Sequence, residues 1–188
     1  MVVAFGLGNP GDRYDHTRHN IGKEVVTGLI RRMGLSLRPG QGEFVYARDP
    51  ARDLALVVPT TYVNLNGVSA AEALDFFKAD RECLVAVCDD FNLPLGAVRI
   101  RKKGSDGGHN GLGSIIYQLE SSEFPRLRLG VGPVPPDADP ADFVLSRFTD
   151  DEEAPVRRLK DEASDALIEI ATSGLARAMN TYNRRVDA

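Results

Sequence analysis

Residues 1–34 read MVVAFGLGNPGDRYDHTRHNIGKEVVTGLIRRMG. Met1–Phe5 is a short apolar run stopped by Gly6, the pattern of a buried strand. Gly6, Gly8, Asn9, Pro10 and Gly11 then form a loop, since each supplies or tolerates unusual backbone angles. Ile21, Val25, Leu29 and Met33 recur at helical spacing and end at Gly34. Strand, loop and helix in that order make the first unit of an α/β fold.

The alternation continues along the chain. Phe44–Arg48 and Leu54–Val58 predict strands, the second apolar throughout and therefore central. Ala70, Ala73, Leu74 and Phe77 form the stripe of a second helix. Leu84–Cys88 is another buried strand, closed by Asp89 and Asp90. Val98–Lys102 alternates Val98 and Ile100 with Arg99 and Arg101, as a strand with one wet face does. Leu112, Ile115, Ile116 and Leu119 mark a third helix, and Leu127–Val131 a further strand. Val156, Leu159, Ala163, Ala166, Leu167 and Ile170 trace a long acidic helix, followed by a last turn or two from Leu175 to Tyr182. The pattern predicts one α/β domain spanning residues 1–188, with a sheet covered by helices on both faces. Gly132–Pro140, with Pro133, Pro135 and Pro136 between, is a stiff exposed connection or lid and not a domain boundary.

Composition narrows the class. The 188 residues are 43% apolar and 27% charged, near the averages for soluble globular proteins. No stretch approaches the ~20 apolar residues of a membrane span. The N-terminus lacks a basic segment and a long apolar one, so no secretory signal is expected and the cytosol is the default. Cys83 and Cys88 have the wrong spacing for a Cys-x-x-Cys site and make no disulfide framework. Three histidines without ligand spacing argue against a metal. The net charge of −4 is unevenly spread. Residues 95–130 carry Arg99, Arg101, Lys102, Lys103, Arg126 and Arg128 against three acids, whereas residues 135–165 carry ten acids against four cations. Such polarity steers an anion to one face, although a solvated surface accounts for the charges alone.

The unusual residues gather in loops after strands, where open α/β sheets bind ligands. Gly6, Gly8 and Gly11 match G-x-G-x-x-G formally, but Pro10 removes a donor and no acid-tipped second strand follows, so the turn presents Asn9 instead of a dinucleotide. His19 precedes a helix for which Asn20 is the expected N-cap, and Asp89 ends a neighbouring strand. A carboxylate on one imidazole nitrogen leaves the other as a general base for water. A structural histidine is the rival reading. Asn9, Asn64 and Asn110 are either turn formers or neutral amides converging on a substrate.

Together these segments resemble the bacterial peptidyl-tRNA hydrolase family. The matching residues are Gly6-Leu-Gly-Asn-Pro-Gly11 with Tyr14 and Thr17-Arg-His-Asn20; Pro59-Thr-Thr-Tyr-Val-Asn64 with Gly67; and Asp89-Asp90 with Leu93-Pro94. Gly104-Ser105, Gly107-Gly-His-Asn-Gly-Leu112, Arg126-Leu-Arg-Leu-Gly130 and Ala178-Met-Asn180 with Asn183 continue the series. The resemblance implies hydrolysis of the ester joining a peptide to the 3′ ribose of tRNA, on a mixed sheet sandwiched by helices, without metal or cofactor, in a cytosolic monomer. It implies His19 as base and Asp89 as its orienting partner. It further implies that Asn9, Asn64 and Asn110 position peptide, water and tRNA end. Tyr14 would pack near the terminal nucleotide, Tyr62 and His109 would also touch substrate, and Arg99, Arg101 and Arg128 would face tRNA phosphates. Val63 and Asn66 stand where the family commonly has Met and Ser, Pro133 replaces a polar residue, and His16 has no role. The rivals are a non-catalytic RNA binder, which would tolerate loss of His19 or Asp89, and an esterase for small N-acylated substrates.

Overall fold

A computed structural model describes residues 1–183. Its strands are β1 (Val2–Gly6), β2 (Arg38–Pro39), β3 (Phe44–Asp49), β4 (Leu54–Pro59), β5 (Leu84–Pro94), β6 (Val98–Arg101) and β7 (Arg126–Gly132). Its helices are α1 (Ile21–Arg32), α2 (Asn66–Phe77), α3 (Asn110–Leu119), α4 (Pro140–Leu145), α5 (Glu153–Ser173) and α6 (Leu175–Tyr182). One mixed sheet runs β2-β3-β4-β1-β5-β7-β6. The central strands β4, β1, β5 and β7 are parallel, and the antiparallel partners β3 and β6 flank them.

Alternate side chains sort onto the two faces. Ala4, Leu56, Val87 and Leu129 meet Val25 and Leu29 of α1 and Leu159 and Leu167 of α5. Val3, Phe5, Val57 and Ala86 meet Ala70 and Leu74 of α2 and Leu112 and Ile115 of α3. Each such Leu or Val contributes about 1.5–3 kcal/mol on burial, so the period-two pattern pins the register. All six residues of β4 are buried, as the apolar run predicts for a central strand.

Three elements differ from the sequence reading. β5 does not close at Asp89 and Asp90 but runs on to Pro94, with a register shift against β7 between Asp90 and Pro94. Glycines make that approach possible: a Cβ at Gly130 would lie 2.0 Å from the Pro94 carbonyl oxygen, and one at Gly132 1.9 Å from that of Phe91. Asp89 therefore sits inside a paired strand, opposite Leu129. Residues 140–145 following the proline-rich connection form α4, begun by Asp139, whose carboxylate accepts from the N–H groups of Ala141 and Asp142. Asn20 occupies the N-cap position of α1 without capping it, since its side chain is committed elsewhere. Among the described residues, no helix is long and apolar enough to cross a membrane.

Candidate active site

The carboxyl ends of β1 and β5 and the N-terminal end of α3 meet in a cleft of 510 Å³. His19 reaches it from a short 3₁₀ turn, Arg18–Asn20, packed against the β5 end of the sheet. That closeness depends on Gly22, where a Cβ would lie 2.1 Å from the Val87 carbonyl oxygen. His19 Nδ1 is 2.9 Å from Asp89 Oδ1, with both side chains buried.

A third residue shares this carboxylate oxygen. His109 Nε2 lies 3.0 Å from Asp89 Oδ1, while its Nδ1 accepts from the backbone N–H groups of Gly111 (3.0 Å) and Leu112 (3.2 Å). Two N–H donors on Nδ1 leave His109 only Nε2 to carry a proton, so that nitrogen donates to Asp89. Burial pushes the Asp89 carboxyl up, and the His19 and His109 rings beside it more than reverse this, holding it well below the usual carboxylate range. An ionised carboxylate only accepts, so His19 donates from Nδ1 and keeps the Nε2 lone pair free. Burial pulls the His19 imidazole down, but the Asp89 charge and hydrogen bond outweigh it, so His19 titrates above an ordinary histidine.

Asn9 is fixed by four contacts. Its Oδ1 accepts from Val63 N–H at 2.9 Å, and a backbone N–H can only donate, so the amide orientation is set. The Asn9 backbone N–H donates to Asn20 Oδ1 (2.8 Å), and its carbonyl accepts from Asn20 Nδ2 (3.0 Å) and Lys23 Nζ (3.0 Å). This double bond to Asn9 is what takes Asn20 away from capping α1. Asn9 Nδ2 has no protein acceptor among the described residues, and Asn9 lines the cleft. Asn64 and Asn110 line it too, exposed and without protein partners among the described residues. Tyr14 and Tyr62 stand edge to face on the same cleft, ring centroids 6.2 Å apart.

The arginines divide. Arg128 lines the cleft and donates to Asp90 Oδ2 (3.1 Å) and the Ser105 carbonyl (3.2 Å). Arg99 lies opposite Arg128 in the β6–β7 register, and Arg101, exposed, opposite Arg126. Neither Arg99 nor Arg101 reaches the cleft. Arg126 does not belong to a basic surface at all. It is fully buried, stacks its guanidinium 4.5 Å from the Phe124 ring centroid, and donates to the carbonyls of Gly104, Ser105, Ser122 and Phe124. It thereby holds the loop leading to His109.

Sequence reasoning missed several structural parts of the site. Asn66 is fully buried, accepts from Gly8 N–H, and donates through Nδ2 toward the carbonyls of Gly8, Thr61 and Tyr62. It ties the first loop to the turn bearing Asn64. His16 takes a left-handed backbone (φ 65°) and donates its N–H to Glu24, itself bridged to Lys160 of α5 at 2.7 Å. His109 lines the cleft, and both of its ring nitrogens are engaged, Nδ1 by the first turn of α3 and Nε2 by Asp89. The signal for it was present in the Gly108-His109-Asn110 order before a helix, but His is not a usual capping residue.

His19, Asp89 and His109 are also the one group of potential metal ligands among the described residues, with ligand atoms within 4.8 Å of one another. Spacing along the chain tests only local metal motifs, and here the fold assembles the set from a short turn, the strand β5 and the N-cap of α3. The hydrogen bonds account for the same geometry: two ring N–H groups converge on Asp89 Oδ1, and His109 Nδ1 accepts from two backbone N–H groups, while His19 Nε2 stays free.

The family model described as peptidyl-tRNA hydrolase matches residues 3–188. A peptidyl-tRNA hydrolase of Chlorobaculum parvum is 42% identical over 190 residues, covering 99% of this chain and 100% of that protein. One from Chloroflexus aggregans is 46% identical over 187 residues, covering 97% and 99%. The crystal structure of peptidyl-tRNA hydrolase from Acinetobacter baumannii superposes with a TM-score of 0.89 at 28% identity, over 97% of this chain and 94% of that one. Family model, relatives and solved fold run together from the first strand to the last helix, and on that agreement the chain belongs to the peptidyl-tRNA hydrolase family, an enzyme that hydrolyses the ester bond of peptidyl-tRNA.

Proposed function

We propose that His19 is the general base of this hydrolysis and Asp89 the group that orients it. The observation that carries the reading is the 2.9 Å bond from His19 Nδ1 to Asp89, which leaves Nε2 free on a ring that lines the cleft. Nε2 takes a proton from water as the water oxygen attacks the ester carbonyl carbon. The carbonyl oxygen becomes an oxyanion, for which Asn9 Nδ2 and the amides of Asn64 and Asn110 are the available neutral donors. Collapse of the intermediate breaks the bond to the ribose 3′ oxygen, which recovers the proton from His19 Nε2. Asp89 stabilises the imidazolium in between and stays ionised.

An ester needs less activation than an amide, so one base and a set of amide donors suffice, each contributing roughly two to three powers of ten. Tyr14 and Tyr62 offer ring faces for the terminal nucleotides of the CCA end, as RNA ends are commonly held by stacking. Arg101, with Arg99 and Arg128 along β6 and β7, meets phosphates of the acceptor region; the Asp90 pair leaves Arg128 less of its charge for this. The enzyme works as a single-domain, metal-independent monomer in the cytosol. His109 holds Asp89 in place.

The test is release of an N-blocked aminoacyl group from tRNA and from the terminal nucleoside ester, for parent and His19→Ala, with and without a chelator. The expected result is loss of turnover on both substrates in the variant and no response to chelator. Turnover of His19→Ala comparable with the parent would overturn the base, and loss on chelation would turn the His19–Asp89–His109 trio into a metal site.

A further inference from the structure

Arg18 immediately precedes the proposed base, yet its side chain leads away from Asp89 and into the segment that forms the other side of the cleft. The guanidinium makes a two-pronged pair with Glu152, Nη1 to Oε1 at 3.0 Å and Nη2 to Oε2 at 2.6 Å. It lies between two rings, 4.4 Å from the Phe143 centroid and 4.6 Å from that of Phe148. Nε reaches Ser146 Oγ at 3.3 Å, and Nη1 also reaches the Val131 carbonyl at 3.5 Å. The backbone repeats the connection: Arg18 N–H donates to the Ser146 carbonyl, and Thr17 bridges to Arg147. Glu152 is held in turn by Thr149, whose N–H donates to Oε2 at 2.8 Å. Burial pushes the Glu152 carboxyl up, but the Arg18 and Thr149 hydrogen bonds outweigh it and keep it ionised below the ordinary range.

What this clamp holds is the wall made by α4. Pro140, Ala141, Val144 and Leu145 line the same cleft as the asparagines, and Leu145 is 45% exposed. α4 is only six residues long, too short to be stable by itself, and the segment before it carries three prolines and little regular structure. Its position depends on its neighbours. The Arg18 side chain touches α4 through Phe143, the following segment through Ser146 and Phe148, the turn before α5 through Glu152, and the end of β7 through Val131.

We infer that Arg18 is a positioning residue that sets the α4 wall against the catalytic turn, and so fixes the width of the apolar side of the cleft where the acyl part of the substrate lies. The inference rests on the reading of this cleft as the substrate site. A side chain buried among a carboxylate and two rings contacts no reacting atom. Its removal leaves the His19–Asp89 bond and the Asn9–Asn20 pair intact while releasing α4. Loss of preorganisation then falls on substrate binding and hardly on the proton transfer.

The experiment compares KM, kcat and the pH profile of peptidyl-tRNA hydrolysis for Arg18→Lys, Arg18→Ala, Glu152→Gln and Phe143→Leu, with His19→Ala beside them. The expected result for Arg18→Ala is a rise in KM of about tenfold, with kcat within about threefold of the parent and an unshifted acid limb. Arg18→Lys, which keeps the charge but neither fork nor stacking, recovers only part of the loss. Phe143→Leu lies on α4 itself, away from the ion pair, and stays informative if the Arg18 variants fail to fold; it raises KM in the same direction. Unchanged KM in every folded variant, or a fall in kcat with a shifted acid limb, would overturn the inference. If His19→Ala remains active, the cleft reading fails instead.

Discussion

The two sides of the cleft are built on opposite principles. The sheet side is polar and over-determined: Asp89 lies within a paired strand, His109 is bonded at both ring nitrogens, and Asn9 is fixed at Oδ1, N–H and carbonyl. The α4 side is apolar and hangs on a few long-range contacts, chiefly from Arg18. Adjacent residues, Arg18 and His19, serve one side each. A base must be aligned within a few tenths of an ångström for proton transfer, which calls for rigid neighbours. A wall that admits acyl groups of many shapes needs only to exclude water and offer apolar surface. Damage to the first side should therefore appear in kcat, and damage to the second in KM.

The largest effect expected is on the rigid side. His19→Ala should lower kcat by about two to four powers of ten with KM nearly unchanged, measured by single-turnover peptide release. A matching rise in KM would blur the contrast between the two sides. Asn66→Ala comes next, because it strips a fully buried amide of contacts to Gly8, Thr61 and Tyr62. Stranded backbone groups of this kind cost about 1–3 kcal/mol each, so denaturant unfolding should show a loss on that scale. Asn66→Ser, the residue common in the family, should recover part of it, and full stability of Asn66→Ala would show the loop junction to be held otherwise.

Losing His109 should matter less. His109→Ala removes both the α3 cap, worth about 1 kcal/mol, and one of two donors to Asp89. A fall in kcat of about tenfold is expected, together with a lower Tm by a few degrees, read by calorimetry. A drop in Tm alone would reduce His109 to a structural cap. The smallest effect belongs to the exposed strand. Arg101→Ala should weaken binding of full-length tRNA a few-fold and flatten the dependence of log K on log salt by about 0.7–0.9, while the terminal nucleoside ester is hydrolysed as before. An unchanged salt slope would leave Arg101 as a solubilising charge on an edge strand.

Much of the frame was legible because its causes are local. Alternation in Val98–Arg101 reflects a side-chain period of two, the unbroken apolar runs of Val2–Gly6 and Leu54–Pro59 mark central strands buried on both faces, and the stripes of α1, α2, α3 and α5 reflect a period of 3.6. His19, Asp89 and Asn9 were legible from their loops and from the family resemblance. What escaped was set by partners far along the chain. Arg18 and Glu152 are separated by 134 positions, Gly8 and Asn66 by 58, and no local pattern couples them. Arg126 reads as one more cation in a basic run, and only the carbonyls gathered around it reveal that it is internal. Asn20 has the sequence of an N-cap, but the Asn9 backbone outcompetes the helix for its amide. Asp89 looked like a strand end because an acid rarely sits inside a buried strand; two imidazole donors are what make it tolerable there.

The central claim is that Asp89 orients and charges the His19 base, and the pH dependence of kcat/KM tests it most directly. Protonated His19 cannot accept a proton, so activity is lost as pH falls through its folded-state titration. Because Asp89 outweighs burial and raises that titration, the acid limb of the parent should have its midpoint above about 6.5, the ordinary histidine value. In Asp89→Asn the opposing burial remains without the charge, so the midpoint should drop to or below that value while the plateau falls by about ten- to a hundredfold. An acid limb that stays in place in Asp89→Asn, with the plateau unaltered, would contradict the pairing on which the account rests.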